Sequence, residues 1–218
     1  MTHAPADQPD DSAIRTEIDI LAAERVIFFS DAVVAIAITL LALALPLPHG
    51  GSNRQILESM YRERAAYLAF LISFVVIGSH WRWHHRIFRY VARLDDRIIG
   101  LNMIWLLMMV VTPFAARLLA GEGGFGVRFG FYAVVQIIAS LCFVRMSRLL
   151  RQRGLLRLEP PDAHQIDVRL LTVAGMFALS IPIAFVTPWA FAVWVAGPVL
   201  SRVWRLVQSR RRHGQGAA

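Results

Sequence analysis

The chain has 218 residues, a hydrophobic content of 56% and a formal net charge of +8. The apolar residues stand in long blocks rather than in one amphipathic period, which excludes an ordinary soluble domain. All 23 basic residues are arginines and most lie between apolar blocks, a pattern that fits membrane orientation better than a nucleic-acid partner. Cys142 is the only cysteine, which excludes a disulfide framework and a cysteine-based metal site.

Both ends of the chain are polar. Residues 1–20 are acidic, contain proline and lack the basic and apolar regions of a signal peptide. They predict a disordered cytoplasmic tail. Residues 209–218 predict a second disordered tail, which is basic, so the transmembrane domain is expected over residues 21–208.

Six apolar blocks are long enough to cross the hydrocarbon core, which takes roughly 20 helical residues. They cover residues 26–47, 65–83, 98–119, 126–146, 168–186 and 189–207. Pro46 and Pro48 end the first block, Pro113 should loosen the third, and Pro188 follows the fifth. The sequence therefore predicts an all-α membrane protein with six transmembrane helices.

The arginines predict the orientation of these helices. With both termini in the cytoplasm, 18 of the 23 arginines face inward, and inward-facing loops collect arginine and lysine. We therefore expect a multi-pass protein of the cell (plasma) membrane with cytoplasmic termini. Membrane lipids are expected partners, because arginine-rich connections attract anionic headgroups.

One face of the first span carries a stripe of branched apolar residues and one hydroxyl. Its members are Ile36, Thr39, Leu40, Leu43 and Leu47. Such a stripe is typical of a bundle core or a lipid-facing surface. It would also suit a narrow water-accessible path that closes by dewetting, and the spacing alone leaves both interpretations open.

Polar residues stand at the start of the same span. Arg25, Ser30 and Asp31 precede the apolar run, although a charged side chain in the bilayer costs a few kcal/mol or more. A structural interpretation is an ion pair and helix cap at the membrane interface. A functional interpretation is that they fix the position of the helix that carries the stripe.

Arg25, Phe29, Ser30 and Asp31 form R-x-x-x-F-S-D before AVVAIAITLL, which resembles the signature of the transmembrane protein 175 family. Members of this family are lysosomal and prokaryotic potassium-selective channels without the TVGYG filter. SFVVIGSHWRWHHRIF (73–88) and LNMIWLLMMVVTPFAARLL (101–119) resemble its second and third helices. The resemblance covers residues 24–119.

The resemblance implies a homotetramer that conducts potassium ions along an axis lined by the first helix. The constriction positions of the family correspond here to Ile36, Leu40 and Leu43, and its selectivity-relevant threonine corresponds to Thr39. The R-x-x-x-F-S-D residues would hold the pore helix against the next two helices. Their expected partners are Trp81, His84 and Asn102, and no cofactor or metal is expected.

The sequence also leaves room for other functions. His80 and His84 are four apart and could together bind a metal or haem, but zinc lacks a third ligand in the predicted spans. A secondary transporter usually needs an ionisable midspan residue, which is missing, although Pro182 could mark a broken helix. A non-conducting adaptor stays open. An enzyme is disfavoured, because no nucleophile, base and acid meet in a plausible cleft.

Overall fold

The computed structural model describes residues 11–187 and residues 190, 191, 193 and 194. This part of the chain folds into six α-helices and contains one isolated β-bridge but no strand. The helices are α1 (Asp11–Leu43), α2 (Asn53–Arg62), α3 (Arg64–Phe88), α4 (Asp96–Ala120), α5 (Phe125–Gln152) and α6 (Ala163–Val186). The predicted all-α class is confirmed.

Five of the helices are long and apolar enough to cross a membrane, and α2 is the exception. They match the first five predicted spans. Apart from four positions, the predicted sixth span (189–207) lies outside the described residues, as do the C-terminal tail and residues 1–10 of the N-terminal tail. The number of spans is therefore five within the described part of the chain.

The first helix differs from its prediction at both ends. It begins at Asp11, so residues 11–20 are helical rather than part of a disordered tail. No glycine or proline interrupts residues 11–43, and Asp11 favours the positive N-terminal end of the helix. The helix ends at Leu43, before Pro46, since proline lacks a donor and restricts the preceding residue. Leu47 therefore lies beyond the helix.

The helix α2 was not predicted and lies in the connection between the first two spans. Ser52 begins it, and the Ser52 side chain accepts a hydrogen bond from the backbone N–H of Gln55. Its ten residues are too few to cross a bilayer. Buried Ser59 contacts His49 in the preceding loop, which attaches α2 to the end of the first span.

The long helices pack mainly through α4 and α5, and α5 is the most buried of them. It packs against α4 and α6, whereas α1 packs against α3 and α4. The buried face of α1 consists of Ala23, Ser30, Val34, Ala37 and Leu41. Apart from partly buried residues at the edges of this face, the surface of α1 is not covered by the part of the chain that the structure describes.

Arg128 joins the end of α4 to the start of α5. Its guanidinium donates to the carbonyl oxygens of Leu119 (2.8 Å) and Gly123 (2.9 Å) and also to that of Gly121. Carbonyl groups at a helix C-terminus have no partner within the helix and attract positive charge. Arg128 therefore caps α4 through its side chain.

At the opposite end of the bundle, the connection between α3 and α4 contacts the connection between α5 and α6. Val91 and Leu156 form the isolated β-bridge, and Arg153 forms an ion pair with Asp95. Gly154, at φ +62°, ends α5 in a left-handed turn that directs the chain towards Val91. Asp95 also begins α4, because its carboxylate accepts from the backbone N–H of Ile98 at 2.8 Å.

The hydrogen bond from the Ile98 N–H, aided by Arg153, lowers the pKa of Asp95. A lowered carboxyl pKa means that the ionised cap stabilises the fold above the unfolded-state pKa, and this contribution is lost as the pH falls through the folded-state pKa. We expect Asp95→Ala to cost about 1 kcal/mol at pH 7 and less under acid conditions. Melting curves in detergent across this pH range measure the difference.

The matched control is Asp95→Asn, which keeps an oxygen acceptor for the Ile98 N–H but removes the charge. Its difference in melting temperature from Asp95→Ala should not change with pH. If the melting temperature of the wild type exceeds that of Asp95→Asn by the same amount under acid conditions, the ionised carboxylate does not have this role.

Candidate functional site

The residues predicted to form a constriction lie on the outer surface of the chain. Ile36 is 59% exposed, Leu40 42% and Leu43 81%. Thr39 is exposed beside them, and its hydroxyl donates to the backbone oxygen of Ile36 at 2.8 Å. These side chains therefore form one face of α1 that the described residues leave uncovered, and within those residues they line no path through the chain.

The opposite face of α1 carries a buried polar network. Ser30 is fully buried, and its hydroxyl donates to the backbone oxygen of Val26 at 2.8 Å. The amide nitrogen of Asn102, on α4, donates to the Ser30 oxygen at 2.9 Å. The amide oxygen of Asn102 lies 3.2 Å from Nε2 of His84, on α3. Three helices thus meet at one line of hydrogen bonds.

The direction of each bond in this network follows from the groups available. The Ser30 hydroxyl proton is used on Val26, so the serine oxygen must accept from the Asn102 NH₂ group. The Asn102 oxygen then faces His84, and Nε2 of His84 must carry a proton to donate. The network therefore fixes the side-chain amide orientation and places the hydrogen of the imidazole on Nε2.

Aromatic rings hold the His84 imidazole in place. It lies between Phe88 and Trp105, with ring centroids 3.9 Å and 4.7 Å away and planes within 13° and 10° of parallel. The indole N–H of Trp105 donates to Nδ1 of His80 at 3.3 Å. His80 and His84 both serve this packing, and no group of three or more potential ligands lies together among the described residues.

A second contact holds α1 against α3 one residue further along. The indole N–H of Trp81 donates to a carboxylate oxygen of Asp31 at 3.0 Å. Trp81 is 39% exposed and stacks on His85, at a centroid distance of 5.6 Å. Ser30 and Asp31 are adjacent in sequence but bind different helices, α4 and α3 respectively.

The far end of the first span has its own attachment. The hydroxyl of Tyr67, on α3, donates to the backbone oxygen of Pro46 at 3.0 Å. Sequence reasoning did not identify Tyr67, nor did it identify Trp105 and Phe88 as the rings around His84. An aromatic residue one turn after Asn102 or His84 was the available signal for those two rings.

The structure does not bring every motif residue to this network. Arg25 and Phe29 are exposed, and Arg25 makes no hydrogen bond or ion pair with the residues that the structure describes. Both lie on the uncovered face of α1 rather than against α3 or α4. Within one chain, Ser30, Asp31, Trp81, His84 and Asn102 are thus assembled, and Arg25 and Phe29 are not.

Removing the Ser30 hydroxyl tests the buried network. Ser30→Ala leaves the Asn102 NH₂ group buried without an acceptor, which costs about 1–3 kcal/mol. We expect a lower melting temperature in detergent. Thr39→Ala is the matched control, because its exposed hydroxyl also donates to a backbone oxygen of α1. Equal effects of the two substitutions would contradict the importance of the bond between helices.

The contact between Asp31 and Trp81 can be isolated with a double-mutant cycle. Asp31→Ala and Trp81→Phe each remove one partner of a hydrogen bond to a charged group, typically about 1.5–3 kcal/mol. The double variant should therefore lose less stability than the sum of the single losses. Melting temperatures of the four proteins measure the coupling, and strictly additive losses would show that the two side chains do not interact.

Comparison with known proteins gives a consistent result. The model of the family described as "Endosomal/lysosomal potassium channel TMEM175" matches residues 25–113, which include every residue of the network. A protein of Streptomyces collinus named a potassium channel is 31% identical over 170 residues, covering 75% of this chain and 82% of that relative.

A protein of Chamaesiphon minutus, also named a potassium channel, is 30% identical over 173 residues, covering 76% of this chain and 85% of the relative. The crystal structure described as a lysosomal potassium-selective channel TMEM175 homolog from the same organism superimposes with a TM-score of 0.67. It is 28% identical and covers 79% of this chain and 92% of its own. The chain therefore belongs to the TMEM175 family.

Proposed function

We propose that this protein is a potassium-selective channel that conducts K⁺ passively across a membrane. Relatives named potassium channels match about three quarters of the chain, which supports transport of an ion rather than an enzymatic activity. The observation that carries the proposal is the division of α1. One face is fixed by the Ser30 and Asp31 contacts, and the other, with Ile36, is left uncovered.

The pore in this proposal lies between copies of the chain. Four copies around a common axis, as the family resemblance implies, would bring the uncovered faces of four α1 helices together. The apolar face of each α1 would then face the common axis instead of the lipid. The buried network supports this arrangement, since it holds α1 at a fixed rotation against α3 and α4.

Within that axis, Ile36, Leu40 and Leu43 form a hydrophobic constriction in place of a filter of carbonyl groups. Rings of aliphatic side chains admit ions only while they are wide enough to stay wet. Thr39 follows Ile36 on the same face, and its proton is used on the Ile36 backbone oxygen. The lone pairs of its hydroxyl oxygen are then available to a passing cation.

The expected location is the cell membrane, with both chain termini in the cytoplasm. The distribution of arginines supports this orientation. Trp81, the partner of Asp31, stands beside Arg82 and close to Arg86 at the same end of α3, as aromatic and basic residues do at a cytoplasmic membrane interface. The FSD residues then lie at the inner membrane surface.

Flux measurements distinguish the channel from the other classes. Purified protein in liposomes with a potassium gradient should give rapid dissipative K⁺ flux. A secondary transporter would give saturable flux coupled to a second solute, and an adaptor would give none. Proton flux in place of K⁺ flux would support a pore but show that it conducts a different ion.

Replacing Ile36 tests the constriction. Ile36→Asn should increase the conductance and lower the potassium-to-sodium permeability ratio, because a polar side chain keeps the narrow part of the pore wet. Bilayer recordings under bi-ionic conditions measure both. Ile104→Asn makes the same chemical change on α4 at a position that is 45% exposed, and it should leave the ratio unchanged. A normal ratio for Ile36→Asn would exclude Ile36 from the constriction.

A further inference from the structure

The uncovered face of α1 has an internal repeat. Ile14, Ile18 and Leu21 are followed eleven residues later by Arg25, Phe29 and Ala32, and after another eleven by Ile36, Leu40 and Leu43. Every one of these side chains is exposed. An eleven-residue repeat over three turns gives about 3.67 residues per turn, close to the helical value. The stripe therefore stays on one face along the whole helix.

Part of this stripe lies outside the hydrocarbon. The contact of Asp31 with Trp81 places this level of α1 beside Arg82 of α3, at the interface. At a rise of about 1.5 Å per residue, Leu21 lies about 15 Å and Ile14 about 25 Å beyond Asp31 along the helix axis. In the proposed orientation, lipid tails therefore do not reach these side chains.

Water is an unfavourable environment for them. Ile14, Ile18 and Leu21 are 40%, 59% and 52% exposed, and burying such side chains stabilises by about 1.5–3 kcal/mol each when complete. Their spacing of four and then three residues is that of a helix–helix seam. The partner that matches this seam in length and direction is the same segment of another copy, since the proposed pore brings the continuous face at Ile36 to a shared axis.

We infer that residues 11–24 of α1 form a parallel helical bundle with the same segment of the other copies, extending the α1 ring beyond the membrane. This inference rests on the proposed function, which supplies the common axis. The eleven-residue period favours straight helices or a slight right-handed supercoil rather than the left-handed winding of heptads. Ile14, Ile18 and Leu21 face the bundle interior.

Arg25 is the one charged member of the repeat. It stands where the helix reaches the interface, between the bundle outside the membrane and the apolar part of the stripe within it. A long side chain can leave the axis with its charged end while its methylene groups stay in the seam. Water and the exposed Glu24 of a neighbouring copy are both available to it. This position accounts for the absence of a partner for Arg25 among the described residues of its own chain.

Disulfide cross-linking of the full-length protein tests the bundle. Cys142→Ala removes the native cysteine, and Ile18→Cys or Leu21→Cys then places one cysteine in the seam. Thr16→Cys, two residues away on the opposite face, is the matched control. Because a disulfide needs Cβ atoms about 4 Å apart, oxidation should give roughly tenfold more covalent dimer from the seam variants than from Thr16→Cys.

Ile36→Cys in the same background separates this inference from the proposed function. Cross-linking at residues 18, 21 and 36 but not at 16 supports the bundle. Cross-linking at residue 36 alone would show that the helices diverge outside the membrane, which overturns the bundle and keeps the pore. If no position cross-links in protein of tetrameric mass, α1 does not lie at the common axis, and both the bundle and the proposed pore are wrong. Equal cross-linking at residues 16 and 18 would also overturn the bundle.

Discussion

The arrangement of this protein depends on one requirement, which is that a buried polar group in a membrane must find its partner within the protein. Ser30, Asn102 and Nε2 of His84 meet this requirement from three different helices. The protein itself buries these side chains from solvent, so a lost bond would leave its partner unpaired. The three helices therefore pack in the relative rotation that brings the Ser30 oxygen to the Asn102 amide and the Asn102 oxygen to Nε2 of His84. The rotation of α1 determines which of its residues remain uncovered. In this way a hydrogen bond on one side of the helix selects the surface presented on the other.

The aromatic rings around His84 add rigidity to this requirement. An imidazole that only bonded to Asn102 could tilt and weaken the bond, but Phe88 and Trp105 restrict it to one plane. Trp105 in turn is held by His80. Asp31 and Trp81 then add a contact one residue beyond Ser30, and Tyr67 adds one at Pro46. The first span is therefore attached to α3 near both of its ends.

The sequence predicted much of this fold and only part of the site. Long apolar blocks predict spanning helices because a helix of roughly 20 apolar residues matches the thickness of the hydrocarbon core. The helical start at Asp11 and the helix α2 were not predicted, because both segments are polar and a search for apolar blocks does not mark them. The unbroken run before Arg25 and the spacing of Ser52 and Gln55, which resembles a capping box, were available signals. Partners of Ser30 and Asp31 came from the family resemblance, since contacts between distant segments cannot be derived from spacing. Arg25 shows what a resemblance leaves out, because a shared motif does not say which of its residues make contacts within the same chain.

Arg128 bears on the arginine distribution from which the orientation is proposed. Five arginines lie on the proposed outer side, against the inward bias. Arg128 is occupied by the carbonyl groups at the end of α4, Arg54 is paired with Glu58, and Arg64 lies over the ring of Tyr61. Each of these guanidinium groups completes local structure on its own side of the bilayer. Only Arg54 has its charge balanced, by Glu58. Carbonyl groups and a tyrosine ring hold Arg128 and Arg64 in place but leave their positive charges intact, so in the proposed orientation these two arginines serve local architecture rather than topology.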